Sequence, residues 1–363
     1  MRWIVADLSS SVGPVASGCR TMPTYQSTPE YEHGSTDFTG ILLVNLGTPE
    51  APTTAAVRRF LKQFLSDPRV IEYPRLLWWL ILNGVILRIR PSRSAAAYRE
   101  IWTDEGSPLM LHSRKIADGV RERMEARGNY RVELAMTYGE PSISSAIDKL
   151  QLADVRRLLV LPLYPQYSAT TTASVFDAVT NMLQTMRWIP EARFINQYHD
   201  EDGYIQALAS SIREYWQENG RGDHLQLSFQ GVPQYTLDGG DPYHCHCQKT
   251  GRLVSEALDL KDDEWTLSFQ SRVGREEWLK PYTDETVKKL GERGVGRLDV
   301  ACPGFSTDCL ETLEEIAMQN AEFFTEAGGD SLHYIPALNA RHDHIEFLTG
   351  LIERKVRGWG SDK

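Results

Sequence analysis

The sequence has few cysteines and no excess of basic residues, and both shortages narrow the classes of protein it can encode. Five cysteines in 363 residues form an odd number and include no CxxC unit, which favours free thiols in a reducing compartment. The 39 lysines and arginines are outnumbered by 49 aspartates and glutamates, giving a net charge of −10. Nucleic acid is therefore not an expected partner.

Long apolar segments and nucleotide-binding motifs are also missing. The apolar start, WIVA, is far shorter than the core of a signal peptide or a spanning helix, so we expect no export and a cytoplasmic protein. No GxGxxG or P-loop spacing follows any predicted strand, so we expect no nucleotide cofactor. Residues 1–38 are rich in Ser, Thr, Gly and Pro without periodicity, which indicates a disordered leader; Met22 is an alternative to Met1 as the true start.

What is present is an alternation of buried strands with helices. The chain is 41% hydrophobic and 24% charged, which suits about two domains with ordinary cores. Predicted strands are GILLVNLG, VELAMTYG, RRLLVLP, HLQLSFQG, WTLSFQS, RLDVAC and SLHYIPALN. This order predicts an α/β fold with parallel, doubly wound sheets, in two halves that face each other across a cleft.

Residues 301–320, ACPGFSTDCLETLEEIAMQN, predict a strand end, a tight turn and an acidic helix. Helical spacing places Asp308, Glu311 or Thr312, and Glu315 near one another on one face. Acids in a first helical turn also occur on ordinary surface helices, where they complement the dipole. A carboxylate row beside the carboxyl end of a parallel strand is, however, where open α/β sheets bind ligands, so both interpretations stay open.

Residues 76–90, LLWWLILNGVILRIR, form a second unusual stretch, which we call the lip. It is interrupted by Asn83 and Gly84 and is too short to cross a bilayer comfortably. One interpretation is a buried core helix. The other is a surface that touches lipid or a flat apolar ligand, because aromatic and basic residues cluster at its two ends.

Residues 228–250 are expected to form a long glycine-rich loop after a strand, with Gln230 at the carboxyl edge of the sheet. The run HCHC at 244–247 consists of metal-ligating residue types, but tetrahedral sites usually need two separated ligand pairs. Cys302 and Cys309 could supply the second pair. A polar loop with a packed thiol is the favoured alternative.

From Gly40 to about Leu351 the sequence resembles the ferrochelatase family, enzymes that insert ferrous iron into protoporphyrin IX. The matching pieces are GILLVNLGTPE, LKQFLSD, GSPL, LPLYPQYS, GDPYHCHC, SFQSR, GREEWLKPYTDE, CPGFSTDCLETLEEI and YIPALN. The resemblance implies two Rossmann-like domains with a porphyrin cleft between them and the lip at its edge. It implies Fe²⁺ as the substrate metal and neither nicotinamide nor flavin; the cysteines leave an iron–sulfur cluster open, although no spacing favours one.

The implied domain organisation follows from the same resemblance. We expect a leader at 1–38, an N-terminal Rossmann-like domain at 39–190 that carries the lip, a C-terminal Rossmann-like domain at 191–335 that carries the acidic helix at 308–325, and a terminal strand and helix at 336–363 that pack back on the first domain.

The resemblance also implies roles for single residues. Glu311 becomes the innermost acid and the metal-binding residue, with Asp308 and Glu315 continuing the row towards solvent. Carboxylates suit a hard, hydrated dication and can pass on the two pyrrole protons that metal insertion releases. Porphyrin-binding residues are expected to be Tyr98, Trp278, Phe305, Tyr167 and Ser168, since a flat macrocycle asks for apolar and aromatic walls.

One position departs from the family. Its loop has His-Gly-hydrophobic-Pro, whereas this chain has Gln230, whose amide has no usable proton affinity near neutral pH. His224 should lie about 20 Å away at the other end of the strand, and His244 and His246 could reach the cleft only if their loop folds inward. Three hypotheses stay open: a ferrochelatase of full or reduced activity, according to the effect of Gln230; a non-catalytic porphyrin- or haem-binding paralogue; and, more distantly, a cobalt or nickel chelatase.

The expected partners are protoporphyrin IX and haem, with a more carboxylated porphyrin left open as the substrate. Because haem is poorly soluble, contact of the lip with the inner face of the membrane would help the product leave. No nucleic acid is expected to bind.

Overall fold

A computed structural model describes residues 25–27, 33–34, 36–274 and 276–359. Most of the segment predicted as a leader, including Met1 and Met22, lies outside these residues. Within that segment, the backbone N–H of Gln26 donates to the carbonyl of Thr185 at 2.8 Å, and its carbonyl accepts from Arg187 at 2.9 Å. Residues 25–27 therefore lie against the end of the first half of the chain.

Strands and helices alternate along the described residues. The strands are β1 (Phe38–Asn45), β2 (Tyr130–Met136), β3 (Val155–Pro162), β4 (Glu191–Phe194), β5 (His224–Gln230), β6 (Trp265–Gln270), β7 (Arg297–Ala301) and β8 (Ser331–Ile335). The α-helices are α1 (Thr54–Ser66), α2 (Arg75–Ile81), α3 (Leu87–Ile101), α4 (Pro108–Glu125), α5 (Ile143–Leu152), α6 (Ser174–Leu183), α7 (Asp202–Asn219), α8 (Gln234–Asp238), α9 (Tyr243–Ala257), α10 (Thr283–Glu292), α11 (Ala321–Glu326) and α12 (His342–Lys355). Three further segments are π-helices: Leu82–Ile86, Ala169–Ala173 and Glu311–Asn320.

The strands form two parallel four-stranded sheets, in the orders β2-β1-β3-β4 and β6-β5-β7-β8. Both faces of the first sheet are covered, as the burial of alternate residues of β1 shows. Ile41 and Leu43 enter one core, Leu42 and Val44 enter another, and all four are 0% exposed. The predicted α/β architecture with two parallel sheets is confirmed.

Three local predictions differ from the structure. The HCHC run lies in the first turns of α9 and not in a loop, because this helix begins directly after Pro242. The acidic helix is a π-helix over Glu311–Asn320 followed by α11, whereas the sequence predicts a helix with α-helical spacing. Strand β4 and helix α6 were missed, since EARF is short and polar and gives little strand signal.

The two halves share one continuous apolar core and several hydrogen bonds. Nδ2 of Asn45 donates to Oγ1 of Thr307 at 3.1 Å, and Oγ of Ser306 donates to the carbonyl of Leu163 at 2.8 Å. The last helix, α12, lies against α4 of the first half. The carboxyl ends of both sheets are thereby held in a fixed relation to each other.

Candidate functional site

Three strands of the second sheet end at one edge, two of them in glutamine. Gln230 ends β5 and Gln270 ends β6, while β7 is followed by the Pro303-Gly304 turn that leads into the π-helix Glu311–Asn320. Because parallel strands bring their carboxyl ends to the same edge, these residues meet where α/β folds bind ligands. The acidic π-helix therefore starts at the functional edge of the sheet.

Glu315 is the most perturbed acid of this helix. Its two carboxylate oxygens accept hydrogen bonds from the backbone N–H of Ser271 at 2.7 Å and from Oγ of Ser271 at 2.5 Å. Burial raises the pKa of Glu315 to about 7, and the charge of Glu311 adds to the rise, while the Ser271 donors oppose it. Near neutral pH this carboxyl group therefore exists in both its protonated and its ionised form.

Glu311 lies one turn earlier in the same helix and is half-buried. Its backbone carbonyl accepts a hydrogen bond from Nε2 of Gln270 at 2.7 Å. Burial, and then the charge of Glu311, raise the pKa of Tyr98 well above its usual range. The charge of Glu311 thus acts on the pKa of both Glu315 and Tyr98.

Asp308 does not continue the acid row towards solvent, and that expectation is wrong. The residue is 6% exposed, and its carboxylate accepts bonds from Tyr334 Oη at 2.6 Å, Asn339 Nδ2 at 2.6 Å and Thr312 Oγ1 at 3.2 Å. The backbone N–H of Ala337 donates to the same group at 3.3 Å. Asp308 ties the start of the π-helix to the chain after β8, because four donors together satisfy a buried carboxylate.

An apolar wall faces the acids from the first half. Tyr98 and Trp102 pack edge to face with ring centroids 6.1 Å apart, and Leu310 and Leu313 lie against the same cluster. Gly47, with φ +109°, is required at the end of β1, since a Cβ there would fall 1.8 Å from the carbonyl of Tyr138. Tyr98 is 8% exposed within this cluster, and its role as a porphyrin wall stays a prediction.

Gln230 and Trp278 are neighbours on the other side of the strand ends. Nε2 of Gln230 donates to the carbonyl of Gly231 at 3.3 Å. A Cβ on Gly231 would lie 3.2 Å from Cε3 of Trp278 and 2.5 Å from the carbonyl of Gln270, so only glycine lets the three strand-end segments approach this closely. Phe305 instead packs against the cores on both faces of the second sheet.

Tyr167 and Ser168 lie in the seam between the halves. The backbone N–H of Tyr167 donates to Nδ1 of His246 at 3.2 Å, and the hydroxyl of Ser168, 1% exposed, donates to Asp241 at 3.1 Å. The His246 ring stacks on His199 with centroids 3.8 Å apart. The porphyrin-binding role of Tyr167 and Ser168 stays a prediction, while their observed contacts join the two halves.

The histidines and cysteines of the HCHC run assemble no metal site with the other described residues, among which no group of three or more potential ligands comes together. Cys247, Cys302 and Cys309 are buried, and burial raises the pKa of each thiol well above its usual range. Buried protonated thiols behave as small apolar side chains. The second ligand pair considered at Cys302 and Cys309 is therefore not formed in this part of the chain.

The lip is exposed along most of its length and is not a buried core helix. Its large apolar side chains at the surface are Leu76, Leu77, Trp79, Leu80, Val85 and Ile89. Leu82 and Leu87 are the exceptions and are buried in the core. Trp78 is half-buried, since its indole N–H donates to the carbonyl of Leu65 at 2.6 Å and its ring packs on the core under α1 and α3. No helix among the described residues has the length and apolarity needed to cross a membrane.

Sequence reasoning gave no role to Gln270 and Ser271, which contact the acidic π-helix, or to His112. Burial lowers the pKa of His112, on α4, and the charge of Asp308 opposes this shift. The signal for the first two was present in the SFQSR segment, which contributed to the family resemblance. No local pattern distinguished His112, because its relation to Asp308 depends on how the halves pack.

Comparison with known sequences gives one consistent family. The family model described as Ferrochelatase matches residues 38–356. A protein named ferrochelatase from Thioalkalivibrio sulfidiphilus is 57% identical over 332 residues, covering 91% of this chain and 90% of its own. A ferrochelatase from Nitrosococcus oceani is 54% identical over 331 residues, with the same coverage of 91% and 90%.

Among solved structures, SirB from Bacillus subtilis with Fe³⁺ is similar in fold. The TM-score is 0.54 at 10% identity, and the match covers 88% of this chain and 96% of that one. At this identity the similarity supports the chelatase-like α/β architecture alone.

Proposed function

The chain belongs to the ferrochelatase family, whose members insert ferrous iron into protoporphyrin to give haem, and we propose that Glu311 and Glu315 carry this reaction here. The observation that supports the assignment is the pair of acids on one π-helix at the carboxyl edge of the second sheet, next to the apolar cluster that holds Tyr98. Glu311, beside that cluster, is the group that meets the incoming iron and the pyrrole nitrogens. Carboxylate oxygens suit a hard dication that must lose its water.

Glu315 serves as the proton acceptor behind Glu311. Insertion of Fe²⁺ releases two protons from the porphyrin, and these need a route away from the ring. A carboxyl group with a pKa of about 7 accepts and releases protons at nearly equal cost near neutral pH. This property offsets the missing imidazole at Gln230, whose amide can hydrogen-bond but not take a proton.

The porphyrin lies against Tyr98 and Trp278 in this proposal, with the halves at 39–190 and 191–335 as the two domains of the cleft. Gln230, Asp308, Phe305, Tyr167 and Ser168 retain the implied site roles only as predictions. The contacts of Asp308 favour a positioning role over metal binding.

The lip is the part that meets the membrane. Its exposed leucines and Trp79 lie beside Arg75, Arg88 and Arg90, which are also exposed. Apolar side chains flanked by arginines suit the surface of an anionic bilayer, into which they insert while the guanidinium groups stay at the headgroups. We place the protein in the cytoplasm, in peripheral contact with the inner membrane face, where poorly soluble haem is handed over.

The test is metal insertion under anaerobic conditions, with purified protein, Fe²⁺ and protoporphyrin IX, followed by the change in the porphyrin absorption spectrum. We expect turnover, and turnover that falls as pH drops below about 7, because Glu315 is then protonated. Tight porphyrin binding without any insertion would instead support the haem-binding paralogue that Gln230 leaves open.

A further inference from the structure

Residues 268–272, SFQSR, lie where β6 ends and reach the acidic π-helix. Gln270 is 2% exposed and is held on two sides: its Oε1 accepts from Oγ of Ser228 at 2.7 Å, and its Nε2 donates to the carbonyl of Glu311 at 2.7 Å. This buried amide fixes the distance between the sheet edge and the first turn of the helix. The backbone position of the next residue, Ser271, is therefore fixed.

Ser271 has a backbone conformation that L side chains rarely adopt. Its φ is +63°, in the left-handed region where glycine, asparagine and aspartate are the usual residues. In this conformation the backbone N–H and the side-chain hydroxyl of one residue both donate to the Glu315 carboxylate, one to each oxygen. A residue strained in this way at a functional site points to a role for the strain.

We propose that Ser271 is a positioning residue for metal insertion, which fixes the Glu315 carboxylate in one orientation beside Glu311. Two donors on the two oxygens remove the rotation of the carboxylate about its last bond, while each oxygen keeps a lone pair for an incoming proton. Glycine would fit the backbone better but lacks the hydroxyl. This role rests on the proposed function, because it acts only through Glu315.

Two substitutions separate positioning from folding. Ser271→Gly removes the hydroxyl and relieves the backbone, whereas Ser271→Ala removes the hydroxyl and keeps the strain. We expect kcat for Fe²⁺ insertion to fall by about tenfold in both, since small misplacements of reacting groups are costly, with the KM for porphyrin within about twofold. The melting temperature should fall less in Ser271→Gly than in Ser271→Ala, because glycine adopts positive φ without steric cost, which offsets part of the lost hydrogen bond.

Asp259→Gly is the matched control. Asp259 has φ +55°, is exposed, and follows α9 away from the cleft. Relief of left-handed strain at this position should leave kcat unchanged. A fall in kcat for Asp259→Gly equal to that for Ser271→Gly would show a general effect of glycine and overturn the role of Ser271.

A double-mutant cycle with Glu315→Gln tests whether Ser271 acts through the carboxylate. In the Glu315→Gln background, Ser271→Ala should change kcat by less than about twofold. Full additivity, or unchanged kcat in both single Ser271 variants, would overturn the positioning role while leaving the proposed function intact. If the wild-type protein inserts no metal at all, the proposed function fails, and this role with it.

Discussion

The lip exposes large apolar side chains to solvent, whereas the acidic π-helix segment begins with a buried carboxylate. In the lip, Leu76 is 76% exposed and Trp79 is 59% exposed, whereas Asp308 at the start of the acidic segment is 6% exposed. Large apolar side chains are normally buried and carboxylates normally face water. Each arrangement is costly for folding by itself, so each needs a separate explanation.

The explanations differ in kind. Four hydrogen-bond donors surround Asp308 and two hold Glu315, so the buried carboxylates are compensated within the fold. The exposed side chains of the lip have no such compensation in the described part of the chain, and an exposed apolar patch of this kind marks an interaction surface. The acids are placed by the protein's own contacts, whereas no described contact covers the apolar side chains of the lip.

The largest expected effect concerns the acid nearest the Tyr98 wall. Glu311→Gln keeps the size of the side chain but removes its charge and its proton affinity, so metal insertion should fall by about a hundredfold or more. Porphyrin binding, followed by fluorescence quenching, should stay within about tenfold. Glu314→Gln in the same helix is the control, because the Glu314 carboxylate accepts a hydrogen bond from Gln319 in an exposed contact. Lost porphyrin affinity with unchanged turnover would contradict the role of Glu311.

The two adjacent tryptophans of the lip should separate stability from surface binding. Trp78→Ser opens the core under α1 and should cost about 3 kcal/mol of unfolding free energy, whereas Trp79→Ser should change it by about 0.5 kcal/mol or less. Trp79→Ser should, in contrast, weaken binding to anionic vesicles and slow porphyrin uptake. Denaturant unfolding and vesicle co-sedimentation measure the two effects. Equal vesicle binding by wild type and Trp79→Ser would argue against a membrane role for the lip.

Asp308→Asn tests whether Asp308 stabilises the fold, in contrast to the reacting acids Glu311 and Glu315. The amide keeps one acceptor oxygen but turns an NH₂ group towards donors on Tyr334 or Asn339, which should cost about 2 kcal/mol of unfolding free energy. Glu322→Gln, on the exposed surface of α11, should cost little. Chemical denaturation of both variants provides the measurement. If the denaturation midpoint of Asp308→Asn is unchanged and metal insertion is lost, Asp308 is one of the reacting groups.

The smallest expected effect is a gain. Gln230→His should raise metal insertion by about tenfold, the low end of what a placed acid–base group contributes, because the imidazole supplies a second proton acceptor in the cleft. The gain should fade as pH falls below about 6, where an unperturbed imidazole is largely protonated. Gln234→His, four residues further on in α8, controls for an added histidine. A folded, porphyrin-binding Gln230→His protein no faster than its parent at pH 7 to 8 would show that Glu315 already suffices.

Much of the fold could be predicted because buried parallel strands carry a strong local signal. Continuous apolar runs such as ILLV in β1 and LLVLP in β3 have few alternatives to burial between two helical layers, and both appear as predicted. β4 was missed because edge strands need less apolar sequence. The π-helical geometry of Glu311–Asn320 was not predictable, since the same residues suit an α-helix.

The sequence by itself determined the family, the two-sheet architecture and the presence of an acidic helix after β7, because these depend on residue types in local order. Tertiary structure alone decided which acid does what. Asp308, Glu311 and Glu315 look alike in sequence, but four donors bury the first, Tyr98 and Gln270 flank the second, and Ser271 holds the third. A carboxylate's chemistry is set by its neighbours' dielectric and donors, and those neighbours come from strands, loops and a second half that are distant in the chain.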